Sequence, residues 1–421
     1  MNITVPYGSE ELTFSLPRNL DADVLTPDQS IKREEISVLL TKALDNPIGS
    51  EPLENIVNSS SSVVIVIDDM TRPTPVSDIL PRIIERLSKG GVRDKNIEIL
   101  IALATHRPMT DKEIRAKVGN EIFAEYRISN HDFARLENLH HLGVISGIDV
   151  WINKKVASAD VVVGIGSIVP HATAGFSGGA KIIIPGVAAE KTVADYHIDA
   201  AMDPENRIGR TDSPLRSKTE LITKSINLAF IVNAVVVPRR GTFSIVAGDY
   251  IKAHRAGVAA AREIFGFKIP EPYDISIISS HPGDVDFWQA TKALFAGEEA
   301  TREGGGIILI TPCPEGISPV YPDFARYIGM DRKVLIQDIL AGKVEKPVAA
   351  AIASRKALIR EKYSITVVSE GLSRKDVETM GFRFSSSAEE AIRTEIMRQG
   401  SVGRICAVTH GSETYAYIAP E

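Results

Sequence analysis

The chain has 421 residues, of which 44% are hydrophobic and 24% charged, and its formal net charge is −6 at pH 7. This composition is typical of a globular protein with a large core, and the length predicts more than one domain. The negative net charge does not favour binding to nucleic acid, and no apolar run approaches the ~20 residues of a membrane span. The amino terminus lacks a signal-peptide pattern, and the two cysteines cannot form a disulfide framework or a zinc site alone. We therefore expect a cytoplasmic protein that acts on small molecules.

In the first half of the chain, buried strands alternate with helices. VPYGSEELTFSLP predicts a β-hairpin, and residues 31–45 predict a first helix. The strand VVIVI is followed by a helix that Thr74 caps, that Pro75 opens and that ends near Lys89. A second strand, in NIEILIALA, precedes a helix capped by Thr110, and ADVVVGIGSIV contains a third strand. Such a series predicts a mostly parallel sheet with helices on both faces.

In the second half, residues 243–268 have a largely helical pattern, and EPYDISIISSHPG then begins a new strand. Further strand–loop units follow in GGGIILITPCPEG, YSITVVSEG and GRICAVTHG. We therefore predict an α/β fold with two domains, residues 1–268 and 269–421.

Unusual polar residues follow the first three buried strands. They are Asp68 to Arg72 after the first, His106 and Arg107 after the second, and His171 after the third. Ligands of open α/β sheets bind at the carboxyl ends of the strands. The convergence predicts a binding site at this edge of the sheet.

The first two of these segments allow a structural and a functional interpretation. DDMTRPTP is a plausible helix entry, but that role leaves Asp69 and Arg72 unexplained, and an arginine suits a carboxylate or phosphate ligand. In THRPMT, His106 is either a structural histidine or, given its place in the expected crevice, an acid–base group.

The third segment, PHATAGFSGGAKIIIPG, suggests a phosphate loop but matches no phosphate-binding motif. The third glycine of a dinucleotide fingerprint falls at Val169, and Lys181 is followed by Ile182 instead of Ser or Thr. Small residues at 174–180, Gly178 among them, would still let a backbone approach a phosphate closely. A tight turn in the core is the alternative, although it leaves His171, Ser177 and Lys181 unexplained.

Two downstream segments carry further candidates. His197 lies on a helix predicted at 188–201, either at the edge of its apolar face or as a metal ligand, although no motif completes a site of protein ligands alone. In HPGDVDFWQATKAL, Gln289 and Lys292 share one helix face, with Asp286 near its start. A solvated helix face is the alternative for this pair.

Taken together, these segments resemble one family. DDMTRPTP, THRPMT, PHATAGFSGGAKIIIPG, His197 and DFWQATKA occur in the order found in the lactate racemase family, from about residue 5 to 410. The resemblance implies two α/β domains with mostly parallel sheets, joined by a hinge, with the active site in the cleft between them.

The resemblance also implies a cofactor. It is a nickel-pincer nucleotide, pyridinium-3-thioamide-5-thiocarboxylic acid mononucleotide, covalently attached to the lysine that matches Lys181. His197 matches the protein ligand of the nickel, while Asp69, Thr71, Ser177 and Gly178 fall in the segments that hold the nucleotide. Cofactor-synthesis enzymes would be needed for maturation.

The reaction implied is inversion of C2 of a 2-hydroxy acid by reversible hydride transfer through a 2-keto acid, with lactate as the default substrate. His106 and His171 match the two acid–base residues, Arg72 and Lys292 match residues that hold the substrate, and Gln289 lies close by. Three aromatic residues are expected either near the pocket for the substrate side chain or in the core: Phe287, Trp288 and Phe295. Racemisation of a larger acid such as malate, epimerisation of a sugar acid, and cofactor binding without turnover remain alternatives.

Overall fold

The structure, a computed structural model, describes residues 1–18, 20–27, 34–203, 206–237 and 241–418. It has two α/β domains, each built on a six-stranded sheet. In the first sheet only the edge pair β13–β12 is antiparallel. In spatial order the strands are β13 (Gly241–Gly248), β12 (Leu228–Val237), β9 (Val161–Ser167), β4 (Val63–Asp68), β5 (Ile97–Ala102) and β6 (Arg127–Asn130).

The second sheet is entirely parallel. Its order is β18 (Arg383–Ser385), β17 (Ser364–Val368), β16 (Thr301–Ile310), β15 (Tyr273–Ser279), β19 (Ile405–Val408) and β3 (Ala22–Leu25). Four strand pairs complete the β structure: β1 (Asn2–Tyr7) with β2 (Glu10–Ser15), β7 (Leu139–Ile145) with β8 (Ile148–Asn153), β10 (Pro170–His171) with β11 (Gly175–Phe176), and β14 (Gly266–Ile269) with β20 (Tyr415–Ile418).

Helices connect the strands and cover both sheets. Those before β12 are α1 (Ile36–Asp45), α2 (Leu53–Ile56), α3 (Val76–Lys89), α4 (Asp111–Val118), α5 (Asn120–Glu125), α6 (Lys154–Ser158), α7 (Glu190–Met202) and α8 (Pro214–Thr223). Those after β13 are α9 (Lys252–Phe265), α10 (Phe287–Ala290), α11 (Ala293–Ala300), α12 (Phe324–Gly329), α13 (Arg332–Leu340), α14 (Pro347–Lys362), α15 (Arg374–Thr379) and α16 (Ala388–Gln399). Short 3₁₀ turns lie at Asp94–Asn96, Leu136–Asn138 and Gly179–Ile182.

The predicted alternation of buried strands and helices is confirmed, as are the amino-terminal hairpin and the Thr110 cap. Thr110 accepts a hydrogen bond from the Glu113 backbone, and the Glu113 side chain accepts one from the Thr110 backbone. The first helix begins at Ile36, and part of its predicted start lies outside the described residues.

The helical prediction for 243–268 is wrong at both ends. Residues 241–248 form β13, because β12 offers an open edge of backbone partners and Phe243, Ile245 and Val246 suit a strand. The helix itself is confined to Lys252–Phe265, and the next residues form β14. Tertiary pairing therefore overrides the local pattern here.

The first residues of the chain pack with the second sheet, far from it in sequence. Ile3, Val5 and Phe14 of the hairpin share a hydrophobic cluster with Ile275 and Ile308. Strand β3 also extends that sheet by pairing with β19. The predicted boundary at residue 268 therefore places in the first domain an amino-terminal segment that packs with the sheet of the second domain. In the described parts of the chain, we find no helix long and apolar enough to cross a membrane.

Candidate active site

The loops after β4, β5 and β9 meet at one edge of the first sheet, because β4 lies between the other two strands. They face the second domain across three adjoining cavities of about 390, 120 and 80 Å³, here called the outer, middle and inner cavities. Arg72 and His106 line all three. His171, Lys181 and His197 line the middle cavity with Lys292. The strand-end residues that the sequence predicts to converge therefore line a cleft with walls from both domains.

Lys117 fixes the loop after β4 from beneath. Its buried ammonium donates to the carbonyls of Asp69, at 3.0 Å, and of Arg72, at 2.9 Å, and it forms an ion pair with Asp68, also at 3.0 Å. The Thr74 hydroxyl donates to Asp68 and does not cap helix α3, which begins at Val76. The predicted N-cap role of Thr74 is therefore wrong, because Asp68 competes for its hydroxyl.

Asp69 orients His106. Its Oδ2 lies 2.6 Å from Nδ1 of His106, while its Oδ1 accepts from the Thr71 hydroxyl at 2.6 Å and from the Thr71 backbone at 3.0 Å. Although burial opposes ionisation, the charge and hydrogen bond of His106 hold the pKa of Asp69 well below its usual value. An ionised carboxylate accepts the proton of Nδ1, so Nε2 of a neutral His106 has a free lone pair.

His171 has a different environment. Its Nδ1 faces the backbone N–H groups of Thr173, at 3.3 Å, and Ala174, at 3.4 Å, and lies 3.2 Å from the Thr173 hydroxyl. Burial, and then the charges of Lys181 and Arg72, hold the pKa of His171 well below its usual value. Because backbone N–H groups donate, the neutral ring carries its proton on Nε2.

The glycine-rich segment is held by its own hydrogen bonds and by a buried arginine. The Ser177 hydroxyl donates to the Ser167 carbonyl at 2.7 Å and accepts from the Val169 backbone at 2.9 Å. Arg216, which is 1% exposed, donates to the carbonyls of Ala174, Phe176 and Gly178. Gly178 has φ +77°, and a Cβ there would lie 2.7 Å from the Asn233 side chain. The segment is thus a fixed platform, and Ser177 and Gly178 line the inner cavity with Lys181.

Lys181 and His197 have the properties that a tethered metal cofactor requires. Burial, and then the charges of Arg72 and Lys292, hold the pKa of Lys181 well below its usual value, so its amine has a neutral, reactive fraction. Burial lowers the pKa of His197 to about 3, with a further contribution from Lys181. A neutral imidazole is the form that binds a metal ion.

Nδ1 of His197 is buried and has no hydrogen-bond partner among the described residues. Within those residues, no group of three or more His, Cys, Asp or Glu side chains is arranged to hold a metal ion. A nickel ion at His197 would therefore need donors from a bound molecule, and a pincer nucleotide attached to Lys181 would supply such donors. The residues present fit the implied cofactor.

The second domain contributes Lys292 and Gln289. The Lys292 ammonium donates to the Gln289 side chain, which is buried, and Asp286 caps the short helix α10 by accepting from the Gln289 backbone at 2.7 Å. Burial, followed by the Arg72 charge, lowers the pKa of Lys292 to about 7. The alternative of a solvated helix face is wrong for this pair, because Gln289 is buried and both side chains line the outer cavity with Arg72 and His106 of the first domain.

The aromatic candidates divide between cleft and core. Trp288 lines the outer and middle cavities and Phe295 the middle one. Phe287 is fully buried and packs against Phe382.

Sequence reasoning missed four residues at the site. Lys117 and Arg216 hold loops from below, and Glu413 and Lys356 line the outer and middle cavities. Glu413 follows strand β19, so the rule applied to the first three strand ends would have found it. Lys356 belongs to a basic pair inside the alanine-rich stretch VAAAIASRKAL, which was a usable signal. Nothing local marks Lys117 or Arg216.

Comparison with known proteins gives a consistent result. Residues 7–209 match the lactate racemase N-terminal domain family, and residues 270–414 match the lactate racemase C-terminal domain family. A lactate racemase of Thermoanaerobacterium thermosaccharolyticum is 34% identical over 75% of this chain and 75% of its own length. A lactate racemase of Lactiplantibacillus plantarum is 28% identical over 97% of this chain and 98% of its own.

Solved structures agree with the sequence comparison. The lactate racemase apoprotein from T. thermosaccharolyticum superposes with a TM-score of 0.88 at 28% identity, covering 99% of this chain and 100% of the other. A Thermotoga maritima protein, 18% identical, has the same fold with a TM-score of 0.67, over 87% of this chain and 96% of its own.

Proposed function

The chain belongs to the lactate racemase family, and from that premise we propose that it is a racemase that inverts C2 of a 2-hydroxy acid, with lactate as the reference substrate. The observation that carries this proposal is the pair of imidazoles in one cavity with opposite proton placement. His106 offers a lone pair at Nε2 and His171 offers an N–H, and cations lie beside both.

Arg72 and Lys292 would bind the substrate carboxylate. Among the described residues, no side chain forms an ion pair with the Arg72 guanidinium, which lines all three cavities. The Lys292 ammonium is oriented by Gln289. A planar guanidinium and a nearby ammonium together hold a carboxylate in one orientation. The substrate hydroxyl would then lie between the two histidines.

We assign the nickel-pincer nucleotide to Lys181 as a covalent adduct, with His197 as the protein ligand of nickel. When bound, this group supplies reversible hydride transfer at C2. Arg216 and Ser177 hold the carbonyls around Lys181 in place, and the inner cavity beside them would take part of the nucleotide.

His106 would take the hydroxyl proton of one enantiomer, because the Asp69 carboxylate keeps the Nε2 lone pair free and stabilises the imidazolium that forms. His171 would serve the other enantiomer. Its change of proton placement is possible because the Thr173 hydroxyl can accept from Nδ1 as well as donate to it. Each histidine then returns a proton to the keto oxygen when the reaction runs the other way.

The test uses protein produced together with cofactor-synthesis enzymes. We expect about one nickel per chain, an increased mass on the peptide containing Lys181, and interconversion of D- and L-lactate measured by chiral chromatography. Lys181→Ala should lose the adduct, and His197→Ala should lose nickel.

Single changes of His106 or His171 to Ala should lower racemisation by about 1000-fold or more while leaving adduct mass and nickel in place. Full activity in metal-free, unmodified protein would refute the cofactor assignment. Unchanged activity in both histidine variants would refute their acid–base roles, and a cofactor-loaded wild type that racemises no 2-hydroxy acid would indicate cofactor binding without turnover.

A further inference from the structure

The middle cavity has more basic side chains than a monocarboxylic substrate needs. Among the described residues, its lining includes no Asp or Glu but five basic side chains: Arg72, Lys181, Lys292, Arg355 and Lys356. Like charges around one small volume are mutually unfavourable, so each needs a partner or a ligand.

Four of these cations have a partner or a proposed role. Arg355 forms a two-point ion pair with Glu298, at 2.8 and 3.2 Å. Lys181 carries the proposed adduct, and Arg72 and Lys292 bind the proposed C1 carboxylate. Lys356 has no role in that account.

The Lys356 side chain is buried, and although the charge of Glu298 acts on it, no Asp or Glu among the described residues lies within ion-pair distance of its Nζ. The residue is 3% exposed, and its Nζ lies 3.6 Å from the centre of the Phe295 ring. None of the described residues accepts a hydrogen bond from this Nζ or forms an ion pair with it. Burial, and then the charge of Arg355, hold the pKa of Lys356 well below its usual value. Binding an anion would restore the charge and pair it.

The position of Lys356 is suitable for a substrate group beyond C2. Helix α14, which carries it, packs against helix α7, which carries His197. Lys356 thus lines the same cavity as His171 and Lys292. The neighbouring wall is apolar, with Val193, Ala200 and Ile352. Polar side chains also line this cavity, among them Thr291 and Asn206, whose Oδ1 has no hydrogen-bond partner among the described residues.

We propose that the substrate side chain ends in a second carboxylate and that Lys356 binds it, so the preferred substrate is a 2-hydroxydicarboxylate such as malate. This inference rests on the proposed racemase function and specifies its substrate class. The Phe295 ring would hold the ammonium in position, and Glu298 neutralises the neighbouring Arg355.

The first experiment measures racemisation by the cofactor-loaded enzyme with malate, lactate and 2-hydroxybutyrate, the last a chain of equal carbon number without the second carboxylate. We expect kcat/KM for malate to exceed the values for both monocarboxylates by about 10-fold or more. In Lys356→Met, the ratio of malate to 2-hydroxybutyrate should fall by about 30-fold or more. Lys362→Met, on the same helix but outside the cavity lining, should leave the ratio unchanged.

A second measurement needs no turnover. Calorimetric titration of the cofactor-loaded enzyme should detect tighter binding of succinate than of butyrate, and Lys356→Met should remove that difference. The adduct mass and nickel content of the variant are measured in parallel, because a lysine that holds the cofactor would lower both.

The outcomes separate the two proposals. Racemisation of lactate and 2-hydroxybutyrate without malate would overturn the dicarboxylate inference and leave the racemase function standing. Loss of cofactor in Lys356→Met, or equal binding of succinate and butyrate, would also overturn the inference. Tighter succinate binding that depends on Lys356, in an enzyme that racemises none of the three acids, would support the inference and contradict the racemase function.

Discussion

The loop that carries His106 and the loop that carries His171 occupy equivalent places on either side of strand β4, yet they present their histidines differently. The first places an ionised carboxylate, Asp69, against Nδ1 of its histidine. The second places the backbone N–H groups of Thr173 and Ala174 against Nδ1 of His171. Similar side chains at similar strand ends therefore hold their protons on opposite nitrogens.

The comparison explains how one site can hold a base and a hydrogen-bond donor at once. The Asp69 carboxylate accepts the Nδ1 proton of His106, whereas burial, and then the cations around it, hold the pKa of His171 well below its usual value. The group that faces Nδ1 of each histidine therefore decides whether its Nε2 has a lone pair or a proton. Three substitutions test this conclusion, from the largest expected effect to the smallest.

Asp69→Asn should lower racemisation about 100-fold or more. Thr71 donates twice to Oδ1, so the asparagine must place its oxygen there and its NH₂ toward His106. The ring then accepts at Nδ1 and carries its proton on Nε2, like His171, which removes the base. Racemisation rates with cofactor content held equal provide the measurement.

The chain offers a matched control in a second histidine–carboxylate pair. Asp149 Oδ1 lies 2.7 Å from Nε2 of His141, away from the cavities. Asp149→Asn should leave racemisation unchanged. A comparable loss in both variants would attribute the effect to folding instead of to the His106 proton.

Lys292→Arg should change the pH dependence. Lys292 is one of the cations that surround His171, and its pKa is lowered to about 7 by burial and by Arg72. The Lys292 side chain is charged below its pKa and neutral above it. In the wild type, kcat/KM should therefore fall as pH rises through about 7. Arginine stays protonated, and the fall should move to higher pH in the variant.

Profiles of kcat/KM against pH for the wild type and Lys292→Arg test whether Lys292 is the titrating group. Binding of propionate over the same pH range tests its contact with a carboxylate. A fall that stays at the same pH in Lys292→Arg would assign it to another group and contradict the proposed carboxylate contact.

Thr173→Val should have the smallest effect, a loss of about 3- to 10-fold in kcat/KM. The change removes the one partner of His171 that can serve both proton placements and leaves the backbone N–H groups. Because the equilibrium constant of a racemisation is one, kcat/KM must fall equally in both directions. Thr173→Ser keeps the hydroxyl and should retain wild-type rates. Wild-type rates in Thr173→Val would show that the hydroxyl has no part in the mechanism.

Much of the site was predictable because its residues follow strands that the sequence marks clearly. Strands β4, β5 and β9 are largely apolar runs, and parallel strands bring their carboxyl ends to one edge. Asp69, His106 and His171 could therefore be expected together without a structure. The Thr110 cap was equally local, since the cap and Glu113 are three residues apart.

Other features depended on contacts that no local pattern encodes. The strand at 241–248 was misread as helix because its partner β12, rather than its own residues, decides its state. Thr74 was misread as a cap because Asp68 takes its hydroxyl. The buried positions of Lys117 and Arg216 follow from loops that fold over them, and both are ordinary helical cations in the sequence.

The sequence by itself thus determined the α/β class, the set of strand-end side chains and the resemblance to one family, because these depend on residue order and short-range spacing. Tertiary structure alone decided the proton placement on the two histidines, the lowered pKa of Lys292 and the burial of Lys356, which has no ion-pair partner in the described part of the chain. Each of these depends on which groups from distant segments meet in a cavity of low dielectric, where charges and hydrogen bonds have their largest effect.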